Sequence, residues 1–346
     1  MTTIIKSVLD LNQQDSSDSI KKAAEILKDG GLVVFPTETV YGLGGNALDD
    51  GAAKKIYAAK GRPSDNPLII HVSRPEDAEK YCYTSEHFYD LAKAFMPGPL
   101  TVILPKKDTI PLSVTGGLDS VAVRCPSHPV ARAIIEEAGI PIAAPSANIS
   151  GRPSPTCASY VIEDMDGRVD MIIDGGDCEI GLESTIIKLD GGKAILLRPG
   201  AITCDALECV CESVEIAPSV SEALGENERP LSPGMKYRHY APNSPFVLLS
   251  GDDESKIEFL KNAAKNESCA ILCYDEEAEL LRGGKLLTIG KKNDLAHQAK
   301  VLFTSLRDAD KLGVKIIYGH LPPKDGLGLA LYNRMIRAAA HTILKV

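Results

Sequence analysis

The sequence lacks the motifs that mark several common enzyme classes. It contains no tryptophan, and only 5% of its residues are aromatic. No GxxxxGK[ST] phosphate loop, GxSxG nucleophile elbow or HExxH zinc motif occurs, and no GxGxxG follows a strand in the setting of a dinucleotide fold. These absences argue against P-loop, nucleophile-elbow, zinc-peptidase and dinucleotide-binding enzymes.

Cysteine pairs with the spacing of a metal site are also absent. The nine cysteines are an odd number and include no CxxC pair. The closest spacings are Cys209-x-Cys211 and Cys269-xxx-Cys273, and the second pair flanks an apolar run that favours buried strand thiols. We therefore expect neither a disulfide framework nor a protein-bound metal ion.

The sequence also lacks an excess of positive charge and a long apolar stretch. The formal net charge is −9, which does not favour broad electrostatic capture of nucleic acid. No run of about 18 apolar residues predicts a membrane span, and residues 1–20 lack a basic start followed by an apolar stretch. We expect a cytoplasmic protein without a membrane or a stable nucleic-acid partner, in which any cationic site is local.

What the sequence does contain is an alternation of short apolar runs and helical patterns, which predicts an α/β fold. Its length of 346 residues fits two domains. Helical spacing predicts a first helix that begins near Asp18 or Ser19 and ends at Gly30, and the glycines of 41–45 predict a turn. The remaining predicted helices are 49–60, 85–95 and 127–139, and the predicted strands are 31–36, 99–105, 121–126, 140–145, 171–174, 184–189 and 194–199.

The composition of the sequence changes between residues 212 and 244. Prolines and polar residues predict an extended linker there, although its segment MKYRHYAP (235–242) has the cationic and aromatic residues of a segment that folds back. A second alternation then predicts strands in 245–249, 269–274, 285–290 and 314–320 and helices in 253–266, 275–283, 293–312 and 330–344. We predict a first domain over 1–211, a linker over 212–244 and a small doubly wound α/β domain over 245–346.

The stretch KGRPSDNPL (60–68) is the first candidate for a functional site. Gly61, Pro63 and Pro67 would fix the loop, so that Lys60 and Arg62 project from a defined backbone. Fixed cations suit an anionic ligand, and the amide of Asn66 adds a group that reads a base or a phosphate.

Two further candidates lie near strand ends. Glu38 stands between Thr37 and Thr39 before a glycine-rich stretch, where a ligand site and a solvated turn are equally compatible with the sequence. Arg124 lies in an apolar alternating strand, so it requires a carboxylate partner, either internal or bound. His71, in another apolar strand, is more typical of a structural hydrogen bond than of a catalyst.

The last candidates are hydroxyl-rich turns and a strand-end arginine. Ser146 and Ser154 stand among small residues that expose backbone N–H groups, Ser184 precedes an apolar strand and Arg198 ends another. The set contains no nucleophile paired with a base. Together these residues predict a site that binds an anionic, nucleotide-like ligand and acts by positioning it.

These stretches resemble the YrdC-like domain of the Sua5 family of threonylcarbamoyl-AMP synthases. The resemblance is carried by GLVVFPTETVYGLG, KGRPSDNPL, FMPGPLTVIL, VAVRCP, PSANISGRPSPT, GLESTII and LLRPGAI. The chain after the linker resembles, by position and texture, the extra domain of the Sua5 type. The resemblance implies a twisted mixed-sheet α/β domain with a deep cationic cavity, followed by a small Rossmann-like domain.

The resemblance also implies an activity. The protein would be a nucleotidyltransferase that condenses L-threonine, bicarbonate and ATP into threonylcarbamoyl-AMP and pyrophosphate. A downstream tRNA threonylcarbamoyl-transferase complex would then modify adenosine 37 of tRNA. Mg²⁺ would enter with ATP, and no organic cofactor is implied. Fixed cations and Mg²⁺ would reduce the repulsion between a carbamate and the triphosphate, so no protein nucleophile is needed.

The matching motif positions imply two sets of binding residues, with Lys60 and Arg62 as the catalytic cations. Arg124 would clamp the threonine carboxylate, and Tyr237 would belong to a linker segment that closes over the nucleotide. The implied threonine-binding residues are Thr39, His71, Arg124, Ala144 and Ser184. The implied ATP-binding residues are Arg62, Asn66, Ser120, Ser146, Ser154, Arg198 and Tyr237.

Two other functions are compatible with parts of this pattern. One is a module that binds tRNA or double-stranded RNA through the same cations, although the net negative charge argues against it. The other is a carbamoyl-transfer enzyme of hydrogenase maturation, which shares the YrdC-like unit. That enzyme also carries zinc-finger parts, and the cysteine array that they require is missing from this sequence.

Overall fold

The computed structural model describes residues 2–222 and 239–346, which form two compact units. The first unit comprises 2–150, 155–179 and 183–222. The second comprises 151–154, 180–182 and 239–346. Each unit has its own sheet.

The described part of the first unit forms one mixed sheet of eleven strands, in the order β1-β8-β2-β3-β7-β4-β6-β5-β9-β10-β11. Its strands are β1 (Ile4–Ser7), β2 (Val33–Phe35), β3 (Gly42–Asn46), β4 (Ile69–His71), β5 (Leu100–Pro105), β6 (Ser120–Arg124), β7 (Ile142–Ala143), β8 (Met171–Asp174), β9 (Thr185–Asp190), β10 (Lys193–Arg198) and β11 (Ser213–Ile216). Its helices are α1 (Gln14–Lys28), α2 (Asp50–Lys60), α3 (Glu86–Phe95), α4 (Leu112–Thr115), α5 (Pro129–Ala138), α6 (Ala158–Met165) and α7 (Cys204–Glu208). The mixed α/β sheet that the resemblance implies is confirmed.

Because of the directions in which the strands run, several strand ends lie along one edge of this sheet. This is the edge at which the strands begin or end, not the edge formed by an outermost strand. β4 and β6 are parallel, and β5 is antiparallel to β6. β9 runs parallel to β5, and β10 runs antiparallel to β9. The carboxyl ends of β4, β6 and β10 therefore lie along the same edge as the amino ends of β5 and β9.

Two helices pack on the sheet to form the main core of the first unit. Ala23, Ala24 and Leu27 of α1 and Ile134 and Ile135 of α5 are buried together with strand residues. Their spacing of three and four positions gives each helix one apolar face. Because α1 and α5 cover this face with aliphatic side chains, polar groups there would be costly to bury.

The start of the first helix differs from the prediction. α1 begins at Gln14, four residues before Asp18, and its N-cap residue Gln13 makes no side-chain capping bond. Ser19 is not a cap, because its hydroxyl donates to the carbonyl of Asp15 (2.7 Å) inside the helix. A serine that bonds back one turn is compatible with a helix interior.

The predicted glycine turn at 41–45 is wrong, because Gly42–Asn46 is strand β3. The strand is buried and pairs antiparallel with β2. A Cβ on Gly44 would lie 2.6 Å from a ring carbon of Phe35 and 2.9 Å from a methyl of Ile142. Glycine at this position permits a close approach of neighbouring elements rather than a turn.

The predicted linker also contains a strand. Ser213–Ile216 is β11 and pairs in parallel with β10 at the edge of the first unit's sheet. Its four residues, Ser-Val-Glu-Ile, alternate between polar and apolar, but the stretch is short and mostly exposed and has no buried apolar run to mark it as a strand. The domain boundary at 211 remains a prediction, but the chain just after it belongs to the first sheet.

The second unit is a parallel five-stranded sheet in the order β14-β13-β15-β12-β16. Its strands are β12 (Phe246–Ser250), β13 (Cys269–Cys273), β14 (Lys285–Thr288), β15 (Ile316–His320) and β16 (Ile343–Lys345). Its helices are α8 (Asp253–Ala263), α9 (Leu295–Lys311) and α10 (Gly328–Ala338). All strands are parallel, as the doubly wound prediction requires.

Two predicted helices of this unit are wrong in whole or in part. The segment 275–283 contains only a 3₁₀ turn at Asp275–Glu277. The helix predicted over 330–344 ends at Ala338, and Ile343–Lys345 forms β16 against β12. Ala340 and His341 adopt positive φ angles of 47° and 61°, which end the helix. Within 2–222 and 239–346, none of the helices has both the length and the apolar character to cross a membrane.

Candidate functional site

A row of three polar residues crosses the first unit's sheet at the edge described above. His71 ends β4 and pairs with Arg124 at the end of β6, which pairs in turn with Thr101 of β5. Directly paired residues on neighbouring strands share a face of the sheet. All three side chains are buried, so the fold places a histidine, an arginine and a hydroxyl side by side on one face.

Arg124 has the carboxylate partner that its burial requires. Its Nη2 donates to Glu38 Oε1 at 2.7 Å, and both side chains are about 5% exposed. The second carboxylate oxygen of Glu38 accepts the backbone N–H of Ser127 (3.2 Å). The Nε of Arg124 is buried and has no hydrogen-bond partner among the described residues, so the guanidinium retains an unused donor.

The loop that carries Glu38 is held by its own hydroxyls. Thr37 Oγ1 donates to the carbonyl of Val40 (2.6 Å) and lies 2.9 Å from Thr39 Oγ1. Both threonines are at most 2% exposed, so a solvated turn is excluded for this stretch. The loop presents a carboxylate and hydroxyls from a defined backbone, since the threonine bonds are local.

A second arginine reaches the same edge through two hydroxyls. Arg198 at the end of β10 donates from Nε to the carbonyl of Ser184 (3.0 Å) and from Nη2 to its Oγ (3.1 Å). The Oγ of Ser184 lies 2.7 Å from the Oγ1 of Thr101. Because Thr101 is paired with Arg124, a continuous polar line runs from Arg198 to Glu38.

Lys60 and Arg62 do not project from their loop, and that prediction is wrong. Lys60 Nζ donates to the carbonyls of Ser146 (2.5 Å) and Asn148 (2.6 Å) and lies 3.4 Å from the Asn148 amide oxygen. Both cations are buried. An ammonium group has three protons, and these acceptors match them, so Lys60 holds the Ser146–Asn148 turn in place.

Arg62 turns back on its own loop in the same way. Its guanidinium donates to the carbonyls of Asn66 (3.3 Å) and Pro67 (3.1 Å). The side-chain oxygen of Asn66 is buried without a hydrogen-bond partner in the part of the chain that the structure describes. Gly61 follows α2 with a φ of 61°, the left-handed conformation that ends the helix and starts this loop.

The predicted binding residues lie toward the two ends of a short stretch of sheet. Ser120 begins β6 and Arg124 ends it, about 13 Å apart at roughly 3.3 Å per residue. Between them, on the same face, lies an apolar floor of Ile69, Ala122 and Ile103. The face therefore has a polar group at each end of an apolar strip.

Four predicted residues remain, and they lie in different parts of the chain. Ala144 lies beside this strip, because its N–H donates to the carbonyl of Ile69 (2.9 Å). Ser146 follows on the same segment, and its Oγ donates to the amide oxygen of Asn148 (2.6 Å). Ser154 is buried and belongs to the second unit, and Tyr237 lies outside the described residues.

Burial, together with the positive charge of the nearby Arg124, lowers the pKa of His71 to about 3. Its Nδ1 lies 3.3 Å from the carbonyl of Ile142, so the neutral ring carries its proton there. A group of this pKa is neutral at physiological pH. His71 is therefore a poor general base and serves as a neutral hydrogen-bonding group.

We expect His71 to make the protein acid-sensitive. Between about pH 6.5 and pH 3 the unfolded chain binds a proton at His71 that the folded protein does not, so stability falls as the pH falls through this window. The variant His71→Asn should reduce the slope of unfolding free energy against pH by up to about 1.4 kcal/mol per unit. Urea denaturation at several pH values measures this slope, with the exposed His87→Asn as control. Equal slopes for wild type and His71→Asn would contradict the assignment.

The site offers no cluster of metal ligands. Among 2–222 and 239–346 no group of three His, Cys, Asp or Glu residues is arranged to hold a metal ion. Both oxygens of Glu38 are occupied, by Arg124 and by the N–H of Ser127.

Comparison with known proteins assigns the chain to a family. The Sua5/YciO/YrdC model, described as "Telomere recombination", matches residues 25–200, and the model of the threonylcarbamoyl-AMP synthase C-terminal domain matches residues 202–340. A threonylcarbamoyl-AMP synthase of Pyrococcus abyssi is 42% identical over 98% of this chain and 99% of its own length. The chain belongs to the Sua5 family of threonylcarbamoyl-AMP synthases.

Other relatives of this Sua5 family member agree with the assignment. A threonylcarbamoyl-AMP synthase of Bacillus subtilis is 42% identical over 94% of both chains. The crystal structure of Pyrococcus abyssi Sua5 complexed with L-threonine matches with a TM-score of 0.90, covering 99% of this chain and 100% of the other. The match includes the C-terminal domain, which the sequence identified only by position and texture.

Two residues of the site are missing from the predicted binding residues. Glu38 was a candidate for which a ligand site and a solvated turn were equally compatible, but it was not predicted to be the partner of Arg124, although a buried arginine requires an acidic partner. Thr101 lies in the apolar run 99–105, where one hydroxyl gives no signal without the strand pairing. Glu38 could have been identified from the sequence, because a buried arginine requires an acidic partner. Thr101 could be identified only from the register of the sheet.

Proposed function

We propose that this Sua5 enzyme condenses L-threonine, bicarbonate and ATP into threonylcarbamoyl-AMP and pyrophosphate, the activated precursor for modification of adenosine 37 in tRNA. The observation that carries the proposal is the match over nearly the whole chain to enzymes named threonylcarbamoyl-AMP synthase. In that reaction the carbamate of threonine attacks the α-phosphorus of ATP and pyrophosphate leaves. We therefore class the enzyme as a nucleotidyltransferase.

The two polar ends of the sheet face suit the two substrates. At one end Arg124 has an Nε–H without a partner in the described chain, which would bind the threonine carboxylate. The neutral His71 and the hydroxyls of Thr39 and Ser184 would contact the other polar groups of threonine. Holding both reactants in one geometry supplies about 7–11 kcal/mol of the barrier. This arrangement needs no protein nucleophile, since the carbamate itself attacks.

The other end suits the nucleotide. Ser120 and Ser146 supply hydroxyls near the entry of β6 and β4, and the buried oxygen of Asn66 is an acceptor for an amino group such as that of adenine. Arg62 shapes the loop around Asn66 through the carbonyls it binds. Arg198 stands nearer the threonine end, where it would meet the phosphates that react with the carbamate.

Magnesium would arrive with ATP as part of the substrate. Phosphate oxygens of ATP would hold the ion, as the family resemblance implies. Bound there, Mg²⁺ supplies neutralisation of the charge that develops on the leaving pyrophosphate. The protein would contribute the positive charge of Arg198 and would hold the substrate threonine in a fixed position.

The product is a mixed anhydride that water hydrolyses, so a partner must consume it. We propose a tRNA threonylcarbamoyl-transferase complex as that partner, as the family resemblance implies. The linker residue Tyr237 would help to close the nucleotide site and exclude water, and this role remains a proposal. A cytoplasmic location would place the enzyme beside its tRNA-modifying partner.

Pyrophosphate release tests the function directly. We expect release that requires ATP, bicarbonate and L-threonine together. Serine lacks one methyl group and should react about 10–200-fold less well by kcat/KM. Each amino acid is tested in turn with a coupled pyrophosphate assay. Absence of threonine-dependent release would contradict the proposal, and salt-sensitive tRNA binding without turnover would favour the RNA-binding alternative.

A further inference from the structure

The threonine end of the site contains the buried cation Arg124, which lies on the same face of the sheet as Arg198, the residue proposed to contact phosphates. Arg198 donates to the hydroxyl of Ser184, which lies 2.7 Å from the hydroxyl of Thr101, and Thr101 is the cross-strand neighbour of Arg124. Guanidinium groups bind phosphate through paired, charge-assisted hydrogen bonds. An anion that reaches Arg198 is thus on the same face of the sheet as a second guanidinium, whose Nε–H has no partner within the described chain.

Such a cation would attract the wrong ligand. Pyrophosphate and the triphosphate of ATP carry several negative charges, whereas free threonine is a zwitterion with no net charge. A buried, uncompensated guanidinium would favour the polyanion over the amino acid, because charge–charge attraction is strong away from water. An enzyme whose substrate and product both carry phosphates therefore needs a means of keeping phosphates from binding in place of threonine.

Glu38 is placed to keep phosphates from binding to Arg124. Its carboxylate contacts Arg124 at 2.7 Å and is fixed by the N–H of Ser127, on a loop held by Thr37. His71, the other titratable group in this row, is neutral. The end of the site formed by these three side chains therefore has one positive and one negative charge, which complements a zwitterion.

We propose that Glu38 is a specificity-determining residue that keeps phosphate groups off Arg124 and leaves that guanidinium to the threonine carboxylate, while the phosphates of ATP meet Arg198. The inference rests on the proposed function. Glu38 cancels the charge of Arg124 while leaving its Nε–H available for one carboxylate. A single carboxylate whose own ammonium group offsets its charge is accepted, and a polyanion is repelled by the fixed carboxylate.

The isosteric variant Glu38→Gln tests this inference, because it removes the charge and keeps the shape. Calorimetry with inorganic pyrophosphate should show that Glu38→Gln binds it about tenfold to a hundredfold more tightly than the wild type does. In the wild type, pyrophosphate should leave the affinity for threonine unchanged. A gain in affinity is not what loss of a merely structural residue would produce.

A matched control is Glu136→Gln, which removes the carboxylate from an exposed ion pair with Arg74 (3.0 Å). Its pyrophosphate affinity should equal that of the wild type. Unchanged or weaker pyrophosphate binding by Glu38→Gln overturns the inference, as does displacement of threonine by pyrophosphate in the wild type. A wild-type protein that neither binds threonine nor releases pyrophosphate would instead overturn the proposed function, so the two failures are distinguishable.

Discussion

Replacing Arg124 by alanine should reduce kcat/KM for threonine about a thousandfold. The substitution removes the guanidinium that would bind the substrate carboxylate, and truncating one member of a buried charge pair costs about 2–5 kcal/mol. It also leaves the carboxylate of Glu38 buried without its cation, which should lower the free energy of unfolding by about 3–5 kcal/mol. Pyrophosphate release at varied threonine measures the first effect, and urea denaturation measures the second.

A double variant separates these two effects. Arg124→Met combined with Glu38→Gln removes both charges, so most of the lost stability should return while the activity should not. The exposed pair offers a control, because Arg74→Ala should leave stability and turnover nearly unchanged. Full activity in Arg124→Ala, or in the double variant, would remove Arg124 from the site.

Gly200→Ala should have the largest effect on stability of any single methyl addition near the site. A Cβ there would lie 2.5 Å from the backbone nitrogen of Thr185 and 2.8 Å from the carbonyl oxygen of Glu183. Thr185 cannot retreat easily, because its N–H bonds Pro99 and its hydroxyl bonds Ile202. We expect a loss of about 3 kcal/mol in the free energy of unfolding.

The same substitution should also reduce activity. The segment it displaces includes Ser184, whose carbonyl and hydroxyl hold Arg198. Gly51→Ala is the control, because Gly51 is an exposed residue of α2 and the nearest atoms to its added Cβ would be those of the Asp49 side chain, the closest at 3.1 Å, rather than backbone. That control should be neutral or stabilising by up to about 1 kcal/mol. Equal urea midpoints for the two variants would refute the steric argument.

The sequence predicted strands where apolar runs are bounded by glycine or proline. Runs such as 99–105 and 194–199 became β5 and β10 with ends shifted by at most one residue. β3 was missed because its glycines, which allow Phe35 and Ile142 to approach, look like a turn. β11 and β16 were missed because they are short and mostly exposed, so that no buried apolar run marks them as strands.

The site was predictable only in part. Motif positions named Arg124 and Ser184, and the structure connects both to other polar groups on one edge of the sheet. Lys60 and Arg62 were expected to project, although backbone carbonyls accept hydrogen bonds from both side chains. The carbonyls that bind Arg62 lie in its own loop, whereas contacts over more than 80 residues of sequence separation decide the orientation of Lys60, as they do for Arg124 and Glu38.

The apolar strip between Ser120 and Arg124 limits how this enzyme could be adapted to other amino acids. The span is fixed by the peptide repeat of β6, so lengthening it would require an inserted residue. One insertion would turn Arg124 to the opposite side and separate it from His71, because strand side chains alternate. Redesign for larger amino acids must therefore trim the flanking side chains and leave the strand length alone.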